Sequence, residues 1–101
     1  VRIEVDGETV ADSVRPHLLF ETGLPTRYYL PRVDVRMDLL APSETTSHCP
    51  FKGDATYFSA ADAEDAFWVY ESPSQEDAVP VAGMLAPWPG RVDVLVDGKP
   101  I

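Results

Sequence analysis

One short segment of the chain holds the side chains best suited to chemistry. It runs from Thr45 to Tyr57 and reads Thr-Thr-Ser-His-Cys-Pro-Phe-Lys-Gly-Asp-Ala-Thr-Tyr. Its Cys49 is the only cysteine of the chain, and a neighbouring cation lowers the pKa of a thiol, so His48 or Lys52 could make Cys49 a nucleophile. Lys52 could also act as an acid, a base or an imine-forming amine. The alternative is that Cys49 packs as a small hydrophobic side chain, the commoner role of a free cysteine.

Cationic side chains around this segment could form an anion-binding wall. Arg27, Arg36 and Lys52 would supply the charge if the fold brings them together. Tyr28 and Tyr29 follow Arg27, and strand alternation sends their rings to opposite faces. We expect one ring to fill the core and the other to line a cleft; the alternative is that both rings are structural. The predicted ligand site comprises Arg27, Tyr29, Arg36, His48, Cys49, Lys52 and Tyr57.

The sequence predicts neither a metal ion nor a cofactor. His48 and Cys49 are adjacent, a spacing poorly suited to chelating one metal ion, and His17 is the only other histidine. Three patterns are missing from the sequence: Gly-x-x-x-x-Gly-Lys of phosphate loops, Gly-x-Gly-x-x-Gly of dinucleotide-binding folds and Gly-x-Ser-x-Gly of hydrolases.

Composition limits the class of partner. The chain has 101 residues, with 17 acidic and 8 basic side chains and a net charge of −9; its length is that of one domain. The charge repels phosphate backbones and anionic lipids, so we expect a small-molecule partner and neither nucleic acid nor membrane. One cysteine cannot form an internal disulfide, which fits a reducing, cytoplasmic location. The oligomeric state does not follow from composition.

Runs in which apolar and polar residues alternate, and runs rich in β-branched residues, predict a series of short strands. Asp6-Gly7 and Gly23-Leu24-Pro25 have turn chemistry, and each predicts a hairpin. The predicted strands are Val1–Val5, Glu8–Ala11, His17–Glu21, Thr26–Leu30, Ala55–Ala60, Phe67–Tyr70 and Val92–Val96, with Thr45–Cys49 also extended.

The fold class follows from these strands and from the prolines. Ten prolines are spread along the chain and exclude long helices. Val33–Leu40 fits either a short helix or an irregular segment, and Val81–Ala86 fits one helical turn. We predict a mainly β, compact roll or barrel-like domain of short strands with at most one or two short helices. A small α+β domain is the alternative.

The two ends of the chain resemble each other. Val1–Val10 reads Val-Arg-Ile-Glu-Val-Asp-Gly-Glu-Thr-Val, and Val92–Ile101 reads Val-Asp-Val-Leu-Val-Asp-Gly-Lys-Pro-Ile. One interpretation is two ordinary hairpins with favourable Asp-Gly turns. The other is that the end of the chain begins a second copy of the same domain. We therefore predict a single domain over residues 1–101, with excision from a longer or tandem protein as the second interpretation.

Five segments carry a family resemblance: Glu21–Pro31, Asp34–Leu40, Thr45–Tyr57, Trp68–Tyr70 and Val81–Gly83. They are similar to the bacterial and fungal family known as domain of unknown function 427. The resemblance implies a compact, mainly β domain similar in shape to methionine-R-sulfoxide reductases. Many of those proteins hold zinc through two cysteine pairs. This sequence has one cysteine, so neither their metal nor their chemistry carries over.

The resemblance also implies signature positions at Glu21, Arg27, Tyr29, Thr46, Cys49, Lys52, Gly53 and Tyr57. Pro87-Trp88-Pro89 departs from the aromatic pair that is more usual in the family, so the resemblance assigns that segment no role. The family has been grouped with nucleotidyltransferases. Their chemistry needs a Gly-Gly or Gly-Ser turn followed by paired metal-binding aspartates, and this sequence has no such arrangement.

Together these observations favour a domain that binds a small ligand near the Cys-Pro-Phe-Lys-Gly segment, with an anion as the first candidate. An enzyme that uses Cys49 or Lys52 in catalysis is the second hypothesis. A structural interaction domain is the third. A concave pocket that holds Arg27, Cys49 and Lys52 would favour the first two hypotheses, and their dispersal would favour the third.

Overall fold

A computed structural model describes residues 1–20, 23, 26–49, 53–72 and 80–101 of the chain. In those ranges the strands are β1 (Arg2–Val5), β2 (Glu8–Asp12), β3 (His17–Leu19), β4 (Arg27–Tyr29), β5 (Leu40–Cys49), β6 (Gly53–Ala60), β7 (Ala63–Val69), β8 (Leu85–Pro87), β9 (Asp93–Val96) and β10 (Lys99–Pro100). Two 3₁₀ helices, Arg32–Asp34 and Met37–Leu39, lie between β4 and β5.

The two ends of the described chain lie side by side in one four-stranded sheet of order β10-β9-β1-β2. Each end is a hairpin closed by an Asp-Gly turn, Asp6-Gly7 in one and Asp97-Gly98 in the other. The φ angle is 52° at both aspartates, and 81° and 78° at the two glycines, as in the type I′ turns that match the twist of hairpin strands. Ile3 pairs with Val94 between the hairpins. The sequence echo therefore corresponds to two similar hairpins in one sheet.

A second sheet has the order β5-β6-β7-β8, and all its neighbouring strands are antiparallel. β3 and β4 form a separate hairpin. Leu30, which follows β4, exchanges two backbone hydrogen bonds with Leu85 of β8, at 2.8 and 3.0 Å. This single bridge holds the β3–β4 hairpin against the β8 edge of the second sheet.

The second sheet buries side chains on both faces, because strand alternation sends neighbouring residues to opposite sides. Phe67 belongs to a core that also contains Ile3, Val5, Val10, Leu30, Leu85, Val92 and Val94. Trp68 belongs to a second core with Tyr29, Ala55, Tyr70, Val81 and Ala86. Ile3, Leu30 and Phe67 are all 0% exposed, and burying each such side chain contributes roughly 1.5–3 kcal/mol.

The predicted mainly β fold is confirmed, although the sheets do not close into a barrel. Val33–Leu40 overlaps both 3₁₀ helices. The helical turn predicted over Val81–Ala86 is wrong in its second half, because Leu85–Pro87 forms β8. There, pairing of Ala86 with Trp68 of β7 outweighs local preference. In the ranges described, no helix is long and apolar enough to cross a membrane.

Candidate functional site

Four aromatic side chains form a continuous cluster on the face of the second sheet that carries Trp68. They are Tyr29 of β4, Tyr57 of β6, Trp68 of β7 and Trp88, which follows β8, and we call them the aromatic cluster. Ring centroids are 6.2 Å apart for Tyr29 and Trp68, 5.4 Å for Trp68 and Trp88, and 6.2 Å for Trp88 and Tyr57. The first two pairs meet edge to face, at 89° and 78°, an arrangement that aromatic quadrupoles favour.

Strand register and two hydrogen bonds fix the cluster. Tyr57 and Trp68 are direct cross-strand partners. The Trp68 indole N–H donates to the Tyr29 hydroxyl at 3.2 Å, and both side chains are buried. The backbone N–H of Trp88 donates to the carbonyl of Ala66 at 2.7 Å. The pairing of β6 with β7 and the anchored turn after β8 therefore bring side chains from distant parts of the sequence together.

Two guanidinium groups cover the tryptophan rings of the cluster. Cζ of Arg27 lies 5.5 Å from the ring centroid of Trp68, and Cζ of Arg91 lies 4.3 Å from that of Trp88. Arg91 also donates an Nη1–H to the backbone carbonyl of Asp65 at 3.2 Å. The aromatic cluster with Arg27 and Arg91 is the candidate ligand site.

These two arginines differ from the others in their partners. The remaining arginines form ion pairs with carboxylates: Arg2 with Glu4, Arg15 with Asp34, Arg32 with Glu71 and Arg36 with Asp38. Within the described ranges, Arg27 and Arg91 form no such pair. Arg91 does have a carboxylate nearby, because its charge adds to the hydrogen bonds of Ser43 and Thr45 in holding the pKa of the Asp65 carboxyl below its usual value. No direct ion pair occupies either guanidinium in these ranges, in a chain whose net charge is −9.

Polar groups lie at the solvent side of the cluster. The hydroxyls of Ser47 and Tyr57 are 3.0 Å apart, and either can donate the hydrogen bond. Ser47 is exposed and Tyr57 half-buried. Trp88 keeps 37% of its surface exposed, whereas Trp68 keeps 7%. A ligand would therefore approach from the side of Ser47, Tyr57 and Trp88.

His48 lies next to Ser47 in sequence but on the opposite face of β5. Ser47 pairs with Ala55 and His48 with Asp54, and successive strand residues point to opposite faces. Nδ1 of His48 is 2.7 Å from Oδ1 of Asp54, and the two side chains are 69% and 82% exposed. A hollow of about 530 Å³ beside this pair is lined by Thr46, Ser47, His48, Asp54, Ala55 and Thr56.

Arg36 lies beside β2 and pairs with Asp38. Its backbone N–H donates to the carbonyl of Val10 at 2.8 Å. Its Nε and Nη2 groups donate to the two carboxylate oxygens of Asp38, at 3.0 and 2.8 Å. The hydrogen bonds to Asp38 raise the pKa of the Arg36 guanidinium and, from the other side of the pair, lower the pKa of Asp38. The charge of Arg36 is therefore already paired with the Asp38 carboxylate.

Of the predicted site residues, Arg27, Tyr29 and Tyr57 come together at the cluster. The backbone of Cys49 pairs with Gly53 at the end of the β5–β6 hairpin; its side chain and the whole of Lys52 lie outside what the structure describes. Across the described ranges, no group of three or more His, Cys, Asp or Glu side chains is placed to hold a metal ion.

Sequence reasoning missed Trp68, Trp88 and Arg91 as site residues. Trp68 stands in a run of high β propensity, which indicated a strand and gave no reason to single out one ring. Trp88 stands between two prolines, where local pattern predicts only a turn. Composition could have pointed to Trp68 and Trp88, since these are the only two tryptophans of the chain. No sequence signal distinguishes Arg91 from the other arginines.

Comparison with known proteins identifies the family to which the chain belongs. A family model described as Domain of unknown function (DUF427) matches residues 1–98, which confirms the resemblance found in the sequence. No curated protein matches the chain. The description of the family names no function, so a functional hypothesis must come from the geometry of the site.

Proposed function

Since the chain belongs to the DUF427 family, whose description names no function, we propose from geometry that the domain binds a small, flat anion at the candidate ligand site. The observation that carries the proposal is that Arg27 and Arg91, the two arginines that form no direct ion pair with a carboxylate in the described ranges, both lie over tryptophan rings.

The charge of the ligand follows from these two guanidinium groups. A guanidinium that lies over a ring keeps N–H donors in its own plane, and these suit a carboxylate or another planar anion. A cationic ligand fits poorly, because Arg27 and Arg91 already occupy positions over the ring faces that a cation would seek. A neutral ligand would leave the charges of Arg27 and Arg91 unused.

The flat shape of the ligand follows from the exposed part of the cluster. Trp88 and Tyr57 present aromatic surface to solvent beside the Ser47 hydroxyl. Aromatic side chains prefer offset-stacked or edge-to-face partners. An unsaturated ring next to the anionic group would therefore gain contacts here that a compact inorganic ion cannot make.

We include Cys49 and Lys52 in the proposed site, because they follow Ser47 closely along the chain and Lys52 would add a third cation. His48 and Arg36 are left out, since His48 pairs with Asp54 on the opposite face and Arg36 pairs with Asp38. The cytoplasmic location inferred from the single cysteine stays a prediction.

Benzoate is a suitable probe, because it joins a flat ring to one carboxylate. Its binding should change the fluorescence of Trp68 and Trp88, the only tryptophans of the chain, and the change should saturate. Arg27→Gln should raise the Kd about tenfold or more, the usual loss for a hydrogen bond to a charged group. Arg36→Gln is the matched control, and its Kd should equal that of the wild type.

Two further probes separate charge from shape. Benzamide has the ring without the charge, and cyclohexanecarboxylate has the charge without the flat ring, so both should bind more weakly than benzoate. Equal Kd values for wild type and Arg27→Gln, or equal Kd values for all three probes, would contradict the proposal.

A further inference from the structure

The fold protects most of its strand edges. The outer edge of β2 is covered by the segment after the first 3₁₀ helix, where Val35 bridges Ala11 and the Arg36 N–H bonds to Val10. The β8 edge is extended by Leu30. β10 has only two residues, and one is Pro100. Such covering, shortening and proline placement are ways in which proteins prevent unwanted strand pairing.

β5 is the one long strand with an open edge in the described ranges, because β3, the other outer strand, has only three residues. β5 is ten residues long and occupies the end of the second sheet, and within the described ranges β6 is the one strand that pairs with it. Its first half is protected by Pro42, by Glu44 and by an irregular register between Pro42 and Thr46. The second half, Thr45–Cys49, contains no proline, lysine or acidic residue. This half of β5 is an edge without the usual protection.

We propose that the Thr45–Cys49 edge of β5 binds an extended, basic peptide segment as an added antiparallel or parallel strand. Five residues is close to the length of a common strand, about 5–6 residues. Thr45, Thr46, Ser47 and His48 are all exposed. The Thr45 N–H already donates to the Ser43 hydroxyl at 3.1 Å, so regular pairing would begin at Thr46. Threonine favours extended backbone, and the outward N–H and C=O groups of an edge strand can bond to a peptide without any change in fold.

The negative charge of the domain favours a basic peptide, rather than a second copy of the chain, as the partner of this edge. Two copies would bring together two molecules of net charge −9, and their mutual repulsion opposes self-pairing. Glu44 precedes the edge segment, and Asp54 pairs with His48 near its other end. Asp54 is 82% exposed, so a lysine or arginine side chain of a bound peptide can compete with His48 for its carboxylate, and Glu44 offers a second carboxylate at the other end.

Specificity would come from the hollow of about 530 Å³ beside this part of β5. In strand addition, backbone hydrogen bonds supply affinity and alternate side chains are read by neighbouring surface. Thr46, Asp54 and Thr56 line the hollow, which gives a lysine side chain two hydroxyls and a carboxylate as partners. A peptide with basic residues at every second position therefore fits this edge.

The test uses the synthetic peptide Lys-Thr-Lys-Val-Lys-Thr-Lys and the same peptide with alternate backbone nitrogens methylated. Methylation keeps the charge and removes the N–H donors that pairing requires. In NMR titrations of the intact domain, the parent peptide should shift the amides of Thr45–His48 and slow their hydrogen exchange. Methylation should weaken binding at least tenfold, and Asp54→Asn or Glu44→Gln should each weaken it about two- to fivefold.

Three outcomes would overturn the proposal. Equal binding of the methylated peptide would mean that only charge attracts it. Protection of the Thr45–His48 amides that grows with protein concentration alone, with a dimer in sedimentation equilibrium, would identify a second copy as the partner. Shifts confined to residues away from β5 would place basic peptides elsewhere on the domain.

Discussion

The indole N–H of Trp68 donates a hydrogen bond to the hydroxyl of Tyr29 across 3.2 Å, at a place where both side chains are buried. Trp68 lies on β7 and Tyr29 on β4, so this bond ties the β3–β4 hairpin to the second sheet. The same bond fixes the orientation of the Trp68 ring, over which Arg27 lies. The candidate ligand site depends on that orientation.

Tyr29→Phe should therefore destabilise the domain by about 1–3 kcal/mol, because it leaves a buried indole N–H without this acceptor. Urea unfolding measures the loss. Tyr28→Phe is the matched control, since Tyr28 is only half-buried, and it should cost less than about 0.5 kcal/mol. If Tyr29→Phe costs as much in a Trp68→Phe background as in the wild type, the bond does not contribute to stability.

Local chemistry was enough to predict the hairpins. Asp6-Gly7 supplies two residues that tolerate positive φ, and the alternating runs on either side supply the strands. The same reasoning predicted the strand that contains Trp68. These features depend only on residues close together in sequence.

The ligand site could not be predicted in the same way, because it depends on contacts between distant residues. Trp68 meets Trp88 only because β7 pairs with β8, whereas local pattern predicts a helical turn at Leu85 of β8. Arg27 and Arg36 are close in sequence, yet one lies over Trp68 and the other pairs with Asp38. Closeness in sequence is therefore a poor guide to which guanidinium groups lie over the tryptophan rings.

Acid should weaken the fold through Asp34. The guanidinium of Arg15 and then the hydroxyl of buried Ser13 hold the pKa of the Asp34 carboxyl below its ordinary value of 3.8. A carboxyl with a lowered pKa in the folded state stabilises the fold above its unfolded-state pKa, and this contribution is lost as the pH falls through the folded pKa. The Tm difference between wild type and Asp34→Asn should thus be largest near neutral pH and shrink below about pH 4.

Introducing Arg15→Gln into both the wild type and Asp34→Asn should make the Tm difference between them smaller, because it removes the main cause of the lowered pKa at Asp34. A Tm difference between wild type and Asp34→Asn that stays constant from neutral pH to about pH 3 would rule out this source of acid sensitivity.

Sulfate should stabilise the domain through Arg27 and Lys52. An anion that binds only the folded state at about ten times its Kd raises the Tm by on the order of 5 °C. Lys52→Ala and Arg27→Ala should each lower this gain. Lys99→Ala, which removes the only other lysine, should leave it unchanged. Matched gains in all four proteins would mean that sulfate acts only as a general stabilising salt.

Cys49 should react slowly with iodoacetamide in the folded protein. A single cysteine most often serves as a small hydrophobic side chain, and a ligand site that includes Cys49 requires no thiolate there, so its labelling at neutral pH should be slower than that of a reference thiol of pKa about 8.5. In urea the rate should rise to the reference value. Labelling of the folded protein faster than the reference thiol would instead support Cys49 as a nucleophile, as the enzyme hypothesis requires.

The two Asp-Gly turns should contribute equally to stability, because both close hairpins whose first strands, β1 and β9, pair with each other. At Gly7 and Gly98, φ is 81° and 78°, and a Cβ at either position would meet no atom within 4 Å. Alanine at either site therefore costs only backbone strain, about 1 kcal/mol. Urea unfolding of Gly7→Ala and Gly98→Ala should give the same loss. If Val92–Ile101 acted as the start of a separate domain, Gly98→Ala would leave the unfolding of this domain unchanged while Gly7→Ala weakened it.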